Sequence, residues 1–354
     1  MEKKNKERIL YFISKKLDHP LYPPRNITLT LNYLCNQRCI MCDIRGLKFD
    51  KKSEIRVEEI KNIIDEMALI GIPDLVLTGG EPFLYEGIFE VIDYAKQKSR
   101  NVIIITNGFY DDTLVDNIIN SKADHLQISL DGSRREIYDE IRGVQGAFNV
   151  VIANIKKFIK NGKSVGVTAT ITRQNYQDLL NIALLAKELG CTRLALRPAH
   201  VSNADPLKRD FIHASFWVPE SELDTLKKVV RDLKEFNART GYLDFPPGLD
   251  LLIDYFKNGC LPPLGSCYIG FTRLIISYNE KESYGIWMCR DMLGDIRKNS
   301  LREIWYGNNA KKMRKIIRKC GKFCLFPEMY EPELRNLSSL WKTVMRDEAQ
   351  RHKC

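Results

Sequence analysis

Short runs of alternating apolar and polar residues recur through roughly the first two hundred positions, and longer runs with helical spacing separate them. The first helical run places Val57, Ile60, Ile63, Ile64 and Met67 on one face. Six strand–helix units in series predict a parallel sheet with right-handed crossovers and helices on its outside. The predicted fold is α/β, a partial (β/α)6 TIM-like barrel with strands near 27–31, 75–78, 102–106, 126–130, 165–171 and 194–197.

This rhythm stops after about residue 198, which divides the chain into unlike parts. A helical run at 220–237 leads to the Pro/Gly-rich turn FPPGLD, and a small cysteine-rich α+β unit starts near Cys260. We expect an N-terminal helical segment at 1–24, the barrel at 25–215, a linker with a helix at 216–259, the cysteine-rich unit at 260–330 and a C-terminal helix at 331–354.

Composition indicates the class of protein and limits its location and partners. Of 354 residues, 44% are hydrophobic and 28% are charged, enough for one large core and a smaller one. The N-terminus lacks the apolar run of a secretory signal and no stretch is long enough to span a membrane, so we expect a cytoplasmic protein. The 55 basic residues exceed the 45 acidic ones, which permits an anionic substrate, a nucleic acid or an acidic protein as partner and selects none.

The segment CNQRCIMC is the most informative in the chain. It places thiols at Cys35, Cys39 and Cys42, directly after the first predicted strand. Three thiolates on one loop can hold three corners of a cubic iron–sulfur cluster and leave the fourth iron open to a ligand. Structural zinc is the alternative, but it requires four closed ligands and no fourth Cys or His lies nearby.

A second motif, LTGGEP, ends the second predicted strand. Gly79 and Gly80 allow the backbone to approach a ligand closely, and Glu81 supplies a carboxylate. Gly and Pro also mark ordinary strand-to-helix turns, so the motif alone is weak evidence. Its position one strand–helix unit after the cysteine loop makes it specific.

In this order the motifs resemble the radical S-adenosylmethionine (SAM) enzymes. The resemblance implies that Cys35, Cys39 and Cys42 hold a [4Fe–4S] cluster whose open iron is chelated by SAM, which is cleaved to methionine and a 5′-deoxyadenosyl radical. It also implies SAM contacts from the GGEP, TNG and QISLDG segments and from the sixth strand, at Gly79, Gly80, Glu81, Pro82, Asn107, Ser129, Asp131 and either Leu196 or Arg197.

Three further residues could contact SAM or the substrate. Met41 stands where the family usually has an aromatic residue beside the adenine, and a thioether can still pack on that ring. Two roles are open for Asp43 and Arg142: each contacts SAM or a substrate, or each is an ordinary surface or ion-pair residue.

The remaining cysteines indicate a second metal centre. Cys267 and Cys289 bracket a predicted hairpin, and GDI, an amphipathic helix, Cys320 and Cys324 follow. This order resembles the SPASM and twitch extensions of radical SAM maturases and dehydrogenases, which implies one auxiliary [4Fe–4S] cluster held by these four cysteines. Cys260 or Cys354 could replace a ligand, and a structural zinc site remains an alternative.

The expected function is therefore hydrogen abstraction from a peptide or a small polar substrate, as in maturases and dehydrogenases. It implies an external one-electron donor of the flavodoxin or ferredoxin type, and Asp291 is a candidate general base, with a turn or capping carboxylate as the alternative. Modification of tRNA or of a cofactor precursor is a second candidate. A non-enzymatic zinc and RNA-binding protein is a third, since a nucleic-acid partner is not excluded.

Overall fold

The structure is a computed structural model that describes residues 2–42, 44, 49–199, 214–245, 248–259, 267–279, 283–288 and 291–318. Within these residues no helix is both long and apolar enough to cross a membrane.

One ten-stranded sheet organises the described chain, in the order β10-β9-β8-β1-β2-β3-β4-β5-β6-β7. Strands β1 to β7 are parallel to one another, and all six predicted strands are present. Their bounds are Asn26–Thr30 (β1), Asp74–Thr78 (β2), Asn101–Thr106 (β3), His125–Ser129 (β4), Val165–Ile171 (β5), Leu194–Pro198 (β6) and Leu243–Asp244 (β7).

Helices lie between these strands in the sequence or flank them at either end. They are α1 (Glu2–Leu17), α2 (Val57–Ile70), α3 (Ile88–Gln97), α4 (Asp112–Asn120), α5 (Arg135–Arg142), α6 (Ala147–Lys160), α7 (Leu179–Glu188), α8 (Leu223–Thr240), α9 (Leu251–Asn258), α10 (Ile269–Thr272), α11 (Leu301–Tyr306) and α12 (Asn308–Arg318). Alternate strand residues such as Ile27 and Leu29 are fully buried and join the apolar faces of the helices in one hydrophobic cluster. The other side of each strand is therefore the one left for a ligand. The predicted fold class is confirmed.

The linker helix differs in position from its prediction. A 3₁₀ turn occupies Glu220–Glu222, and α8 runs from Leu223 to Thr240. Gly241, at a φ of 61°, ends it in the left-handed conformation that glycine adopts without strain.

The cysteine-rich region continues the same sheet. The predicted hairpin is present as β8 (Arg273–Asn279) and β9 (Ser283–Met288), and β8 pairs in parallel with β1. Gly294 and Asp295, predicted to end the hairpin region, lie on a further strand, β10 (Asp291–Asp295), which pairs antiparallel with β9. Tyr284 donates from its hydroxyl to the Leu31 carbonyl at 2.9 Å, so the hairpin contacts the end of β1.

Candidate active site

The cysteine loop, residues 35–42, leaves the carboxyl end of β1. Cys35 and Cys42 are exposed, Cys39 is half-buried, and none of the three forms a disulfide. Burial of the atoms around its sulfur raises the pKa of the Cys35 thiol, although the residue reaches the surface. No three His, Cys, Asp or Glu side chains of the described residues come close enough to share one metal ion. A cubic cluster binds each thiolate on a separate iron, whereas zinc gathers all of its ligands on one ion.

The glycine pair lies against the chain that enters the cysteine loop. The amide of Gly80 donates to the Asn32 carbonyl at 2.9 Å, and that of Glu81 donates to the Leu34 carbonyl at 2.6 Å. A Cβ on Gly79 would lie 2.7 Å from the Asn32 oxygen, and one on Gly80 would overlap the Leu34 carbonyl. Glycine is required here because two backbone segments touch. The predicted SAM contact of this segment is a separate expectation.

Glu81 has no exposed surface, and its carboxylate accepts hydrogen bonds from several groups. The donors are the amides of Phe83 (3.1 Å) and Asn107 (2.9 Å) and the hydroxyls of Thr106 (2.8 Å) and Tyr110 (2.8 Å). Burial raises its pKa, and these donors oppose the rise. The side chain therefore ties the end of β2 to the end of β3. Pro82 follows it as the first residue of a buried 3₁₀ turn.

Asn107 connects the end of β3 to the cysteine loop. Its side-chain nitrogen Nδ2 donates to Asn36 Oδ1 at 2.7 Å and lies 3.8 Å from Cys35 Sγ. The Gln37 amide is 3.5 Å from the same sulfur. Hydrogen bonds to cluster sulfurs stabilise charge on them, so these donors suit a thiolate ligand. Sequence reasoning missed Asn36, which carries no motif of its own.

Arg142, at the end of α5, joins the loop to the end of β4. Its guanidinium lies 2.5 Å from Asp131 Oδ2 and 3.5 Å from Cys39 Sγ, and the residue is only 6% exposed. Asp131 is fully buried and also accepts the Thr170 amide at 2.6 Å. Arg142 therefore forms a buried ion pair, one of the two roles considered for it, and its guanidinium also lies near the predicted cluster ligand Cys39.

The backbone around Arg142 holds the same loop. The Arg38 amide donates to the Arg142 carbonyl and the Ile40 amide to the Ile141 carbonyl, each at 2.9 Å. Gly143 has a φ of 66°, and a Cβ there would overlap the Arg38 carbonyl. Gly143 was not predicted to matter, although a glycine directly after a helix was the available signal.

The ligand-facing side of the sheet is polar beyond this loop. Ser129 pairs in register with Thr168, and Thr170 pairs with Arg197, so these half-exposed side chains share one side of the sheet. Leu196 is completely buried in the helix-packed core. Of the two residues considered beside the adenine, Arg197 is the one with exposed surface. Met41 is half-exposed within the cysteine loop.

The described chain contains part of the predicted auxiliary site. Cys267 is half-buried six residues before β8, and Lys15 donates to its carbonyl at 2.8 Å. Asp291 is exposed on the edge strand β10, which β8 and β9 separate from β1. Six residues considered above lie outside the described residues: Asp43, Cys260, Cys289, Cys320, Cys324 and Cys354. The predicted C-terminal helix at 331–354 also lies outside them.

Comparison with known proteins agrees with this geometry. The Radical SAM superfamily model matches residues 29–186. An AdoMet-dependent heme synthase of Oleidesulfovibrio alaskensis is 30% identical over 317 residues, covering 81% of this chain and 76% of its own. One from Methanosarcina barkeri is 26% identical over 83% of this chain and 84% of its own. Mycofactocin maturase MftC of Mycolicibacterium smegmatis is 29% identical over 52% of this chain and 46% of its own.

Solved structures share the fold. Streptococcus suis SuiB bound to S-adenosylmethionine superposes with a TM-score of 0.68 at 15% identity, over 88% of this chain and 75% of SuiB. Native anSMEcpe with bound AdoMet gives 0.64 at 17% identity, over 84% of each chain. Three thiols on a loop with amide and guanidinium donors near two of the sulfurs fit the [4Fe–4S] cluster that such enzymes use with SAM. The chain therefore belongs to the radical SAM superfamily of enzymes.

Proposed function

We propose that the chain cleaves SAM reductively at the cysteine loop and abstracts a hydrogen atom from a peptide bound over the polar side of the sheet. One observation carries this proposal: the loop with Cys35, Cys39 and Cys42 is held against the ends of three strands and of α5 at the carboxyl edge of the sheet. When bound through these thiols, the [4Fe–4S] cluster supplies the electron that converts SAM to methionine and a 5′-deoxyadenosyl radical.

The protein's own residues would fix the geometry of that site. Gly79 and Gly80 set the path of the chain into the loop, because their backbone contacts residues 32 to 34. Asn107 and Arg142 donate toward Cys35 and Cys39, which favours the deprotonated thiols that ligate iron. Ser129 and Arg197, both half-exposed on the polar side of the sheet, would contact the nucleoside of SAM.

The C-terminal part of the proposal adds a second cluster. Cys267, with Cys289, Cys320 and Cys324, would hold an auxiliary [4Fe–4S] centre, and Asp291 would take the substrate proton if the product is oxidised. An external donor of the flavodoxin or ferredoxin type would supply the electron for SAM cleavage. Two relatives support a peptide substrate: MftC is named as a maturase, and SuiB has been solved with its precursor peptide SuiA.

Anaerobic reconstitution tests the central step. Wild-type protein should bind about eight irons as two four-iron clusters and release 5′-deoxyadenosine when given SAM and a strong reductant. Cys39→Ala should lose about four irons and all 5′-deoxyadenosine. Cys191→Ala is the matched control, because Cys191 is a buried core residue, and it should retain both. Equal activity in the two variants would refute the proposal.

A second candidate substrate is a cofactor precursor of the tetrapyrrole type. The heme synthases match over 81% and 83% of this chain, whereas the MftC match covers 52%. Binding of an iron–porphyrin precursor would produce a shifted Soret absorption on titration into the SAM-loaded enzyme. A shift in that titration without peptide-dependent 5′-deoxyadenosine release would favour the precursor over a peptide.

A further inference from the structure

Two buried cations lie beside the segment that begins at Cys267. Lys15 on α1 is 5% exposed, donates to the Cys267 carbonyl at 2.8 Å and lies 4.4 Å from the centroid of the Tyr268 ring. Arg314 on α12 is 1% exposed and donates from Nε to the Gly270 carbonyl at 2.8 Å. Both charges thus converge on the five residues from Cys267 to Phe271, from helices at opposite ends of the described chain.

Neither cation has a carboxylate within ion-pair distance among the residues that the structure describes. Arg314 directs a second donor to the Trp305 carbonyl at 2.7 Å and lies over the rings of Trp305 and Phe271, at 4.3 and 5.5 Å. Carbonyl oxygens and ring faces bear only partial negative charge. Removing a full positive charge from water is strongly unfavourable unless an anion compensates it, so the pair leaves an excess of buried positive charge.

This excess has the sign that an iron–sulfur centre requires. A [4Fe–4S] cluster with four thiolate ligands carries a net negative charge, and reduction adds one more. Cys267 supplies the thiol of the segment that the two cations contact, Lys15 at the Cys267 carbonyl and Arg314 at the Gly270 carbonyl. Lys16, the next residue on α1, is exposed, so the burial of Lys15 is specific to its side of the helix.

We propose that Lys15 and Arg314 are the cationic partners of an iron–sulfur centre bound through Cys267, so that the N-terminal helix takes part in that centre. The inference rests on the proposed function, which assigns Cys267 to the auxiliary cluster. Nearby positive charge stabilises the reduced form more than the oxidised form. The two residues therefore raise the reduction potential and favour transfer of one electron from a substrate radical to this cluster, which is reduced as the substrate is oxidised.

A redox titration of the reconstituted full-length enzyme, followed by electron paramagnetic resonance, tests this role. The signal that changes on addition of SAM belongs to the cluster of Cys35, Cys39 and Cys42, and the other belongs to the centre at Cys267. Lys15→Met should lower the reduced-to-oxidised ratio of the second signal at least tenfold at a fixed potential, a shift of about 59 mV. Lys16→Met should leave it unchanged, and Lys15→Arg should stay near the wild type because it keeps the charge.

Lys15→Gln provides the second variant if Lys15→Met does not fold, since its amide can still donate to the Cys267 carbonyl. A merely structural lysine would change thermal stability without moving the potential, so an unchanged midpoint in the folded variant overturns the inference and leaves the cluster assignment intact. A wild-type enzyme with about four irons and only the SAM-responsive signal overturns both the inference and the auxiliary cluster. SAM cleavage at the cysteine loop would survive that result.

Discussion

The buried ion pair between Arg142 and Asp131 determines how firmly the cysteine loop is held. Arg142→Met removes a guanidinium that lies 2.5 Å from a carboxylate with no exposed surface. The Thr170 amide remains as a donor to Asp131, but it supplies no compensating charge. We expect the free energy of unfolding to fall by about 3–5 kcal/mol, the cost of leaving one partner of a buried pair uncompensated.

Urea unfolding of the cluster-free protein, followed by circular dichroism, measures this cost without the contribution of a bound metal. Arg135→Met is the matched control: Arg135 lies on the same helix, is 54% exposed and pairs with Asp139 at 3.4 Å. Its loss should cost less than about 1 kcal/mol, because the Arg135 guanidinium is exposed to solvent and the buried Asp139 carboxylate keeps the amide donors of Gly146 and Phe148. In the double variant, Asp131→Asn should recover about 2 kcal/mol of the Arg142→Met loss, because asparagine accepts the Thr170 amide without a charge.

Either of two results would refute the reasoning. Equal losses in Arg142→Met and Arg135→Met would mean that burial adds nothing to the pair. Additive effects of the two single changes would mean that Arg142 and Asp131 are not coupled, and Asp131 would then have to be neutral. Burial raises the pKa of Asp131, and Arg142 with the Thr170 amide opposes that rise.

Three further predictions concern the surrounding residues. Gly80→Ala should prevent iron binding, because its Cβ would overlap the Leu34 carbonyl; Gly146→Ala, strained at a φ of 80° but with open space, should retain iron in the same assay. Glu81→Gln should destabilise the fold by about 1–3 kcal/mol in urea unfolding, because its amide group would face donors that now need an acceptor. Burial lowers the pKa of His125. Its contribution to the free energy of unfolding is therefore complete above the unfolded pKa of about 6.5 and is lost as pH falls through the lower folded pKa. His125→Gln should reduce the fall in melting temperature that acidification causes.

Parallel strands such as β1 and β2 could be predicted because the alternation of buried and half-exposed positions is a local pattern in the sequence. Ile27 and Leu29 are buried while Thr28 and Thr30 are half-exposed, as the period of two requires. The cysteine spacing and the Gly79–Gly80 pair identified the region of the candidate site for the same reason. Each feature lies within a few residues of the chain.

The contacts that hold the site depend on distant residues, so sequence alone could not supply them. Glu81 meets Tyr110 across 29 positions, and Arg142 meets Cys39 across 103. Nothing local indicates that the Glu81 carboxylate is occupied by protein donors, or that a backbone contact is what requires glycine at 80. The pairing of β8 with β1 spans more than 240 residues, and only the folded sheet reveals it.

That pairing explains why the cysteine-rich region and the cysteine loop belong to one structure. β1 has β2 on one side and β8 on the other, so the strand that leads into the loop is central and cannot shift without breaking two ladders. The Arg25 amide donates to the Thr272 carbonyl at 2.8 Å directly before β1. Tyr33, three residues after the end of β1, packs against Tyr278, with ring centroids 6.0 Å apart. We therefore expect a change in the segment from Cys267 to β8 to affect the loop of Cys35 through β1, which contacts both regions. Substitutions at Tyr278 should consequently alter SAM cleavage even though this residue lies outside every motif of the barrel.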